Sequence, residues 1–161
     1  MEHVDVLHAL VRTSIFRDLT VGDLREHLLR FEHMEVPEGS VVLEEGKSNS
    51  ALYMVVRGSF RVVLLEKSSV KEAERFTDIE LGVIRAGTCF GEFSLFDRAP
   101  ASATVLALEP SEVVRIERGE IEELLGASPH VAAVVYQNMI RVLIGRIRRT
   151  DRNFDLRLAL G

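Results

Sequence analysis

Six short apolar runs, parted by turns that mostly carry glycine, leave this chain few folds to choose from. The runs are Val41–Leu43, Leu52–Val56, Phe60–Leu65, Ile79–Ile84, Thr104–Leu108 and Val113–Ile116. Between and before them stand Val36-Pro37-Glu38-Gly39, Glu45-Gly46-Lys47-Ser48-Asn49, Arg57-Gly58-Ser59 and Ala86-Gly87. Short strands at near-regular spacing with glycine at the reversals predict an antiparallel sandwich or barrel. The charged stretch Glu66–Asp78 predicts a mobile loop between two strands.

Helices flank this series. Val6 to Phe16 carries apolar residues at helical spacing, and Thr20-Val21-Gly22-Asp23 predicts a capping box opening a second helix to Arg30. Glu120–Leu125 predicts a helix ending at Gly126, with Pro129 opening a long one to at least Arg149. On that helix Tyr136, Ile140, Leu143 and Ile147 fall in one line, which Phe154 continues past Thr150, at the alternating four-three spacing of a coiled-coil seam. Val135, Met139 and Val142 widen the apolar arc on one side, and Ile144 on the other. So wide an arc predicts two partners, the barrel and a second helix, hence a symmetric homodimer. The expected organisation is one domain: residues 1–128 as helices and barrel, and 129–161 as the long helix and tail.

The chemistry concentrates in Phe90-Gly91-Glu92-Phe93-Ser94-Leu95 and in Pro100-Ala101-Ser102-Ala103-Thr104-Val105. The first joins a glycine turn, a carboxylate and a short helix start; the second returns as a strand. Amides at a helix start attract phosphate oxygens, and a carboxylate accepts from sugar hydroxyls. Without a ligand, Glu92 would simply cap nearby amides.

Other chemistry finds little footing. Cys89 is the only cysteine, so an internal disulfide is impossible, and a buried, inert thiol in a reducing compartment is expected. His3, His8, His33 and His130 stand at no metal-ligand spacing, and no nucleophile-elbow, Walker or dinucleotide motif occurs. The expectation is no enzyme, no metal and no cofactor beyond a cyclic-nucleotide-like ligand. With no apolar run of membrane length and no secretory signal, the expected place is the cytoplasm. Arg141, Arg146, Arg148, Arg149 and Arg152 form a basic patch, read as a solvated helix face. The net charge of −5 and the short stretch after Arg149 argue against specific DNA binding. Met1 reads as a natural start, while the chain stays open to being a fragment of a longer protein.

These motifs together resemble the cyclic-nucleotide-binding domains, as in the catabolite activator protein and protein kinase A regulatory subunits. Gly39, Gly46, Gly58, Gly87 and Gly91 stand where that family turns, and Ile15–Leu19 resembles its leading helix. The resemblance implies an α+β, mainly β jelly roll with N-terminal helices, a short cassette helix and a long C-terminal helix. It implies a phosphate-binding cassette of Gly91, Glu92, Phe93, Ser94, Ala101, Ser102 and Ala103, with Glu92 on the ribose. It implies a regulatory sensor signalling through its C-terminal helix to an unidentified effector. The family's phosphate-binding arginine falls on Ala101, and alanine supplies no charge. Three accounts of Ala101 stay open. Arg98 reaches in from the short helix, the ligand is a cyclic dinucleotide or a less charged molecule, or the pocket is empty and the domain is a dimerising scaffold.

Overall fold

The computed structural model describes the backbone of residues 3–64 and 79–159 and the side chains of 5–64, 79–93 and 95–149. The charged stretch Glu66–Asp78 lies outside the described residues, as do the side chains of Ser94, Thr150 and Phe154.

Eight strands are described, in two four-stranded antiparallel sheets. One sheet orders β1 (Glu32–Val36), β8 (Ser111–Glu117), β3 (Ala51–Arg57) and β6 (Cys89–Phe90). The other orders β2 (Val41–Leu43), β7 (Thr104–Ala107), β4 (Ser59–Leu64) and β5 (Ile79–Arg85). This is the antiparallel sandwich expected from the strand-and-turn spacing, in the jelly-roll form that the family resemblance implies.

The run Leu52–Val56 has no polar alternation because β3 is covered on both faces. Ala51, Tyr53 and Val55 point into the core between the sheets, with Phe60, Phe90 and Val105. Leu52 and Met54 point the other way, into a second core closed by helices. Opposite faces for alternate residues follow from the strand's period of two. The second core holds α1 (His3–Leu10) through Val6, Leu7 and Leu10, and α4 (Arg118–Ala127) through Ile121 and Leu124. It also holds α5 (Pro129–Ala159) through Val131, Val135 and Met139.

Several helix boundaries differ from expectation. The first helix ends at Leu10, and Ile15–Leu19 is a turn with Asp18 at φ 72°. Its buried Ile15 and Phe16 carry the packing that the periodicity detected. The capping box at Thr20 forms, with Asp23 Oδ2 accepting from the Thr20 amide at 2.7 Å. It opens only α2 (Val21–Leu24), and Arg25–Arg30 continues as a 3-10 helix. Gly126 is not a terminal glycine: α4 runs through it to Ala127, and Ser128 separates the helices in an extended conformation. Ser128 Oγ then accepts from the Val131 amide, so α5 begins with proline at its first position, where a missing N–H costs nothing. The polar strand β1 was not foreseen, since only Val36 is fully buried along it.

The reversal at Gly58 has φ 86°, and a Cβ there would lie 2.7 Å from Ser111 Cβ and 2.9 Å from its Cα. Backbone conformation and steric room thus both require glycine. Gly58→Ala is expected to destabilise the fold by about 2–3 kcal/mol. In urea unfolding the midpoint should fall with an unchanged slope.

Candidate functional site

The cassette is held by its neighbours before any ligand is considered. Gly91 adopts φ 85° and turns β6 into the five-residue helix α3 (Glu92–Phe96). Ala51 O would stand 2.6 Å from a Cβ at Gly91, so the turn presses on β3. Asn49, read from sequence only as part of a turn, pins it. Its Nδ2 donates to Ala51 O at 2.7 Å and to Gly91 O at 3.3 Å, and its Oδ1 accepts from the Ala51 amide at 3.2 Å. Beneath, Tyr53 and Phe90 stack with centroids 5.0 Å apart, and Phe60 tilts against Phe90. The second cassette segment is tied to the turn after β2. Gly46 donates to Ala101 O and Ala101 to Lys47 O, both at 2.8 Å, while Thr104 Oγ1 accepts from the Glu45 amide.

The two segments face each other across a cavity of about 480 Å³. Gly91, Glu92, Phe93, Ala101, Ser102 and Ala103 all line it, so the structure brings the expected residues together. Leu43, Val62, Val105 and Phe90 give it an apolar wall, and Arg146 and Arg149 reach it from α5. The volume is within the usual range for small-molecule sites, as is the mix of apolar wall and few polar groups.

Glu92 is the dominant electrostatic feature. It is only 2% exposed. Arg146 donates from Nη1 to Glu92 Oε1 and from Nη2 to Cys89 O. Glu92 Oε2 is buried and has no hydrogen-bond partner among the described residues. Burial pushes the Glu92 carboxyl above its ordinary value, and the Arg146 guanidinium opposes that without cancelling it. The same burial pushes the Cys89 thiol up to about 12, which makes it inert, as expected for a core cysteine.

Two arginine assignments change. Arg98 is exposed at φ 56° and does not line the cavity, so it does not replace the missing cassette arginine. Arg146 does not belong to a solvated basic face, since it turns inward and its side chain is 25% exposed. The signal was present in the spacing. Val131, Val135, Met139 and Val142 form the helix stripe that packs on the core, and Arg146 and Arg149 continue it at +4 and +7 from Val142. A cation extending a buried stripe at helical spacing marks a pocket wall, not a solvated face.

The seam residues lie away from the core. Tyr136 is 44%, Ile140 57% and Ile147 61% exposed, Ile144 is exposed beside them, and Leu143 is half-buried. The apolar arc thus divides into a face on the core and a face turned outward.

Protonation of Glu92 links the site to stability. Its folded-state carboxyl holds a proton more tightly than the ordinary value of 4.5, so folding is favoured below that value. That contribution is lost as pH rises through the raised folded value. Glu92→Gln removes it. In urea unfolding between pH 4 and 8, the stability of the native chain relative to the variant is expected to fall as pH rises, and a pH-independent difference would contradict the assignment.

Comparison with known proteins places this geometry. The model of the cyclic nucleotide-binding domain matches residues 33–128. The Cyclic AMP receptor protein of Thermus thermophilus is 29% identical over 144 residues, covering 89% of this chain and 62% of that protein. The crystal structure of the Thermus thermophilus Catabolite Activator Protein superposes with a TM-score of 0.71 at 25% identity, over 89% of this chain and 62% of that one. A cyclic nucleotide-binding domain from Methylobacillus flagellatus superposes with a TM-score of 0.75 at 21% identity, over 93% and 81%. The chain spans 32% to 62% of the length of the first curated relatives it matches, and these extend well past the shared segment. The expectation that specific DNA binding is absent therefore draws no support from them. Among the described residues no helix is long and apolar enough to cross a membrane. The matched segment contains both cassette runs and Glu92, and the chain belongs to the cyclic nucleotide-binding domain family.

Proposed function

We propose that this chain is a regulatory sensor module that binds a cyclic nucleotide, or a related small anionic ligand, between the cassette and α5. The observation that carries this reading is Glu92, a nearly buried carboxylate that lines a cavity of about 480 Å³ and has one oxygen without a partner among the described residues. An unmet buried acceptor costs about 1–3 kcal/mol, and a ligand hydroxyl would offset it. The ligand would lie between α3 on one side and α5 on the other, so its binding would bias the position of α5 against the barrel. That is a shift between two states of one element, read by an effector protein, with no catalytic step.

Ala101 favours a second reading, a domain that no longer binds cyclic AMP and serves as a dimerising scaffold. Its side chain is 7% exposed and packs within the apolar core between the sheets. A thermal-unfolding screen against millimolar cyclic AMP, cyclic GMP, cyclic di-GMP and cyclic di-AMP separates the two. A ligand at 100 times its Kd adds about 2.7 kcal/mol, a rise of several degrees in Tm for a domain of this size. A rise with one nucleotide is expected under the sensor reading, and no rise with any of them favours the scaffold.

Both readings use the outward face of α5 as a homodimer seam. Tyr136, Ile140, Leu143 and Ile147 repeat at the spacing of two packed helices, and a second copy would cover apolar area that the chain leaves in water. Ile140 is 57% exposed, so Ile140→Asp spares the chain's own core. Sedimentation velocity is expected to show a dimer for the native chain and a monomer for the variant. A dimer that survives the substitution would rule out this seam.

A further inference from the structure

The cavity lacks an arginine at position 101, yet it does not lack cations. Among the described residues its ionisable lining is Arg85, Glu92, Arg146 and Arg149, three guanidiniums against one carboxylate. Arg85 and Arg149 are exposed, whereas the Arg146 side chain is 25% exposed. Arg146 bridges Glu92 Oε1 and Cys89 O.

Stability does not account for this arrangement. Arg146 occupies the continuation of the Val135–Met139–Val142 stripe, where an apolar side chain would pack without desolvating a charge. Nor is the pair closed on itself, because Glu92 Oε2 is buried without a partner among the described residues. A guanidinium is a planar, permanently charged fork that pairs with carboxylates and phosphates alike, so Arg146 brings a fixed positive charge to the cavity beside Glu92.

We infer that Arg146, carried by α5, supplies the cation missing from the cassette at position 101. The site then takes a small anion with a neighbouring hydroxyl: the hydroxyl donates to the Glu92 carboxylate and the anion rests on the Arg146 guanidinium. This rests on the reading of the cavity as a ligand pocket given above. Moving the cation from the loop before β7 to a helix has a mechanical consequence. The anion contact is made by the element whose position carries the signal, so the ligand spans core and helix directly.

Titration calorimetry with cyclic AMP and with adenosine, which lacks the phosphate, tests the assignment in the native chain and in Arg146→Gln, Arg146→Lys, Ala101→Arg and the double variant Arg146→Gln/Ala101→Arg. The native chain is expected to bind cyclic AMP. Arg146→Gln should weaken that binding by about 30-fold or more, weaken adenosine by much less, and regain cyclic AMP binding when Ala101→Arg is added. Arg146→Lys keeps the charge without the fork and guards against a folding defect; about tenfold weaker binding is expected. Equal cyclic AMP affinity in the native chain and both Arg146 variants overturns the inference. Binding by Ala101→Arg but not by the native chain also overturns it, while leaving the pocket reading intact. If the native chain, Ala101→Arg and the double variant bind neither probe, this inference falls, and the pocket reading falls with it when the thermal screen also shows no rise with any nucleotide.

Discussion

The sheet β1-β8-β3-β6 is apolar on both faces at its centre, and that double burial organises the molecule. One face closes the core between the sheets, and the other requires a cover of helices. Without α1, α4 and α5, Leu52, Met54, Val114 and Ile116 would lie in water, at a cost of about 1.5–3 kcal/mol for each large side chain. The helices are therefore structural necessities of the barrel, and any site on α5 inherits its placement from this packing.

Helix α5 connects several parts of the fold through different chemistry at different heights. Near its start Val131 and Val135 fix it by apolar burial. At its middle Asn138, itself buried, donates to Arg17 O at 2.6 Å and to Ile15 O, tying the helix to the N-terminal turn. Two turns further on, Arg146 ties it to Glu92 at the cavity. Apolar contacts hold over a range of small displacements, whereas a bidentate guanidinium contact is directional. Along α5 the hold therefore changes from apolar packing in the first turns to a directional polar contact at Arg146 beside the cavity.

The cassette shows how a small set of backbone constraints prepares a site. Gly91 at positive φ lets the chain turn against β3, Asn49 locks the turn, and the bonds between Ala101 and the Gly46–Lys47 turn set the opposing wall. These contacts are internal to the chain, so the cavity is formed by folding and does not need a ligand to assemble it. The carboxylate buried there carries an electrostatic cost that Arg146 offsets only in part, which leaves the site polarised.

Much of this was legible in the sequence. Short apolar runs between glycine turns specify strands because both are local consequences of backbone geometry, and the cassette residues were identifiable because they fall in two short contiguous segments. The split of the α5 arc into two faces was likewise written in its spacing. Local pattern misled where packing overrode it: Ile15 and Phe16 are buried from a turn, and Gly126 sits inside a helix. Strand β1 was hidden because its single fully buried residue, Val36, gives almost no periodic signal. Only the tertiary structure decided that Arg146 meets Glu92. The two stand 54 residues apart, and which cation faces a buried carboxylate depends on how the helix is rotated on the core, a quantity fixed by side-chain packing and not by local sequence.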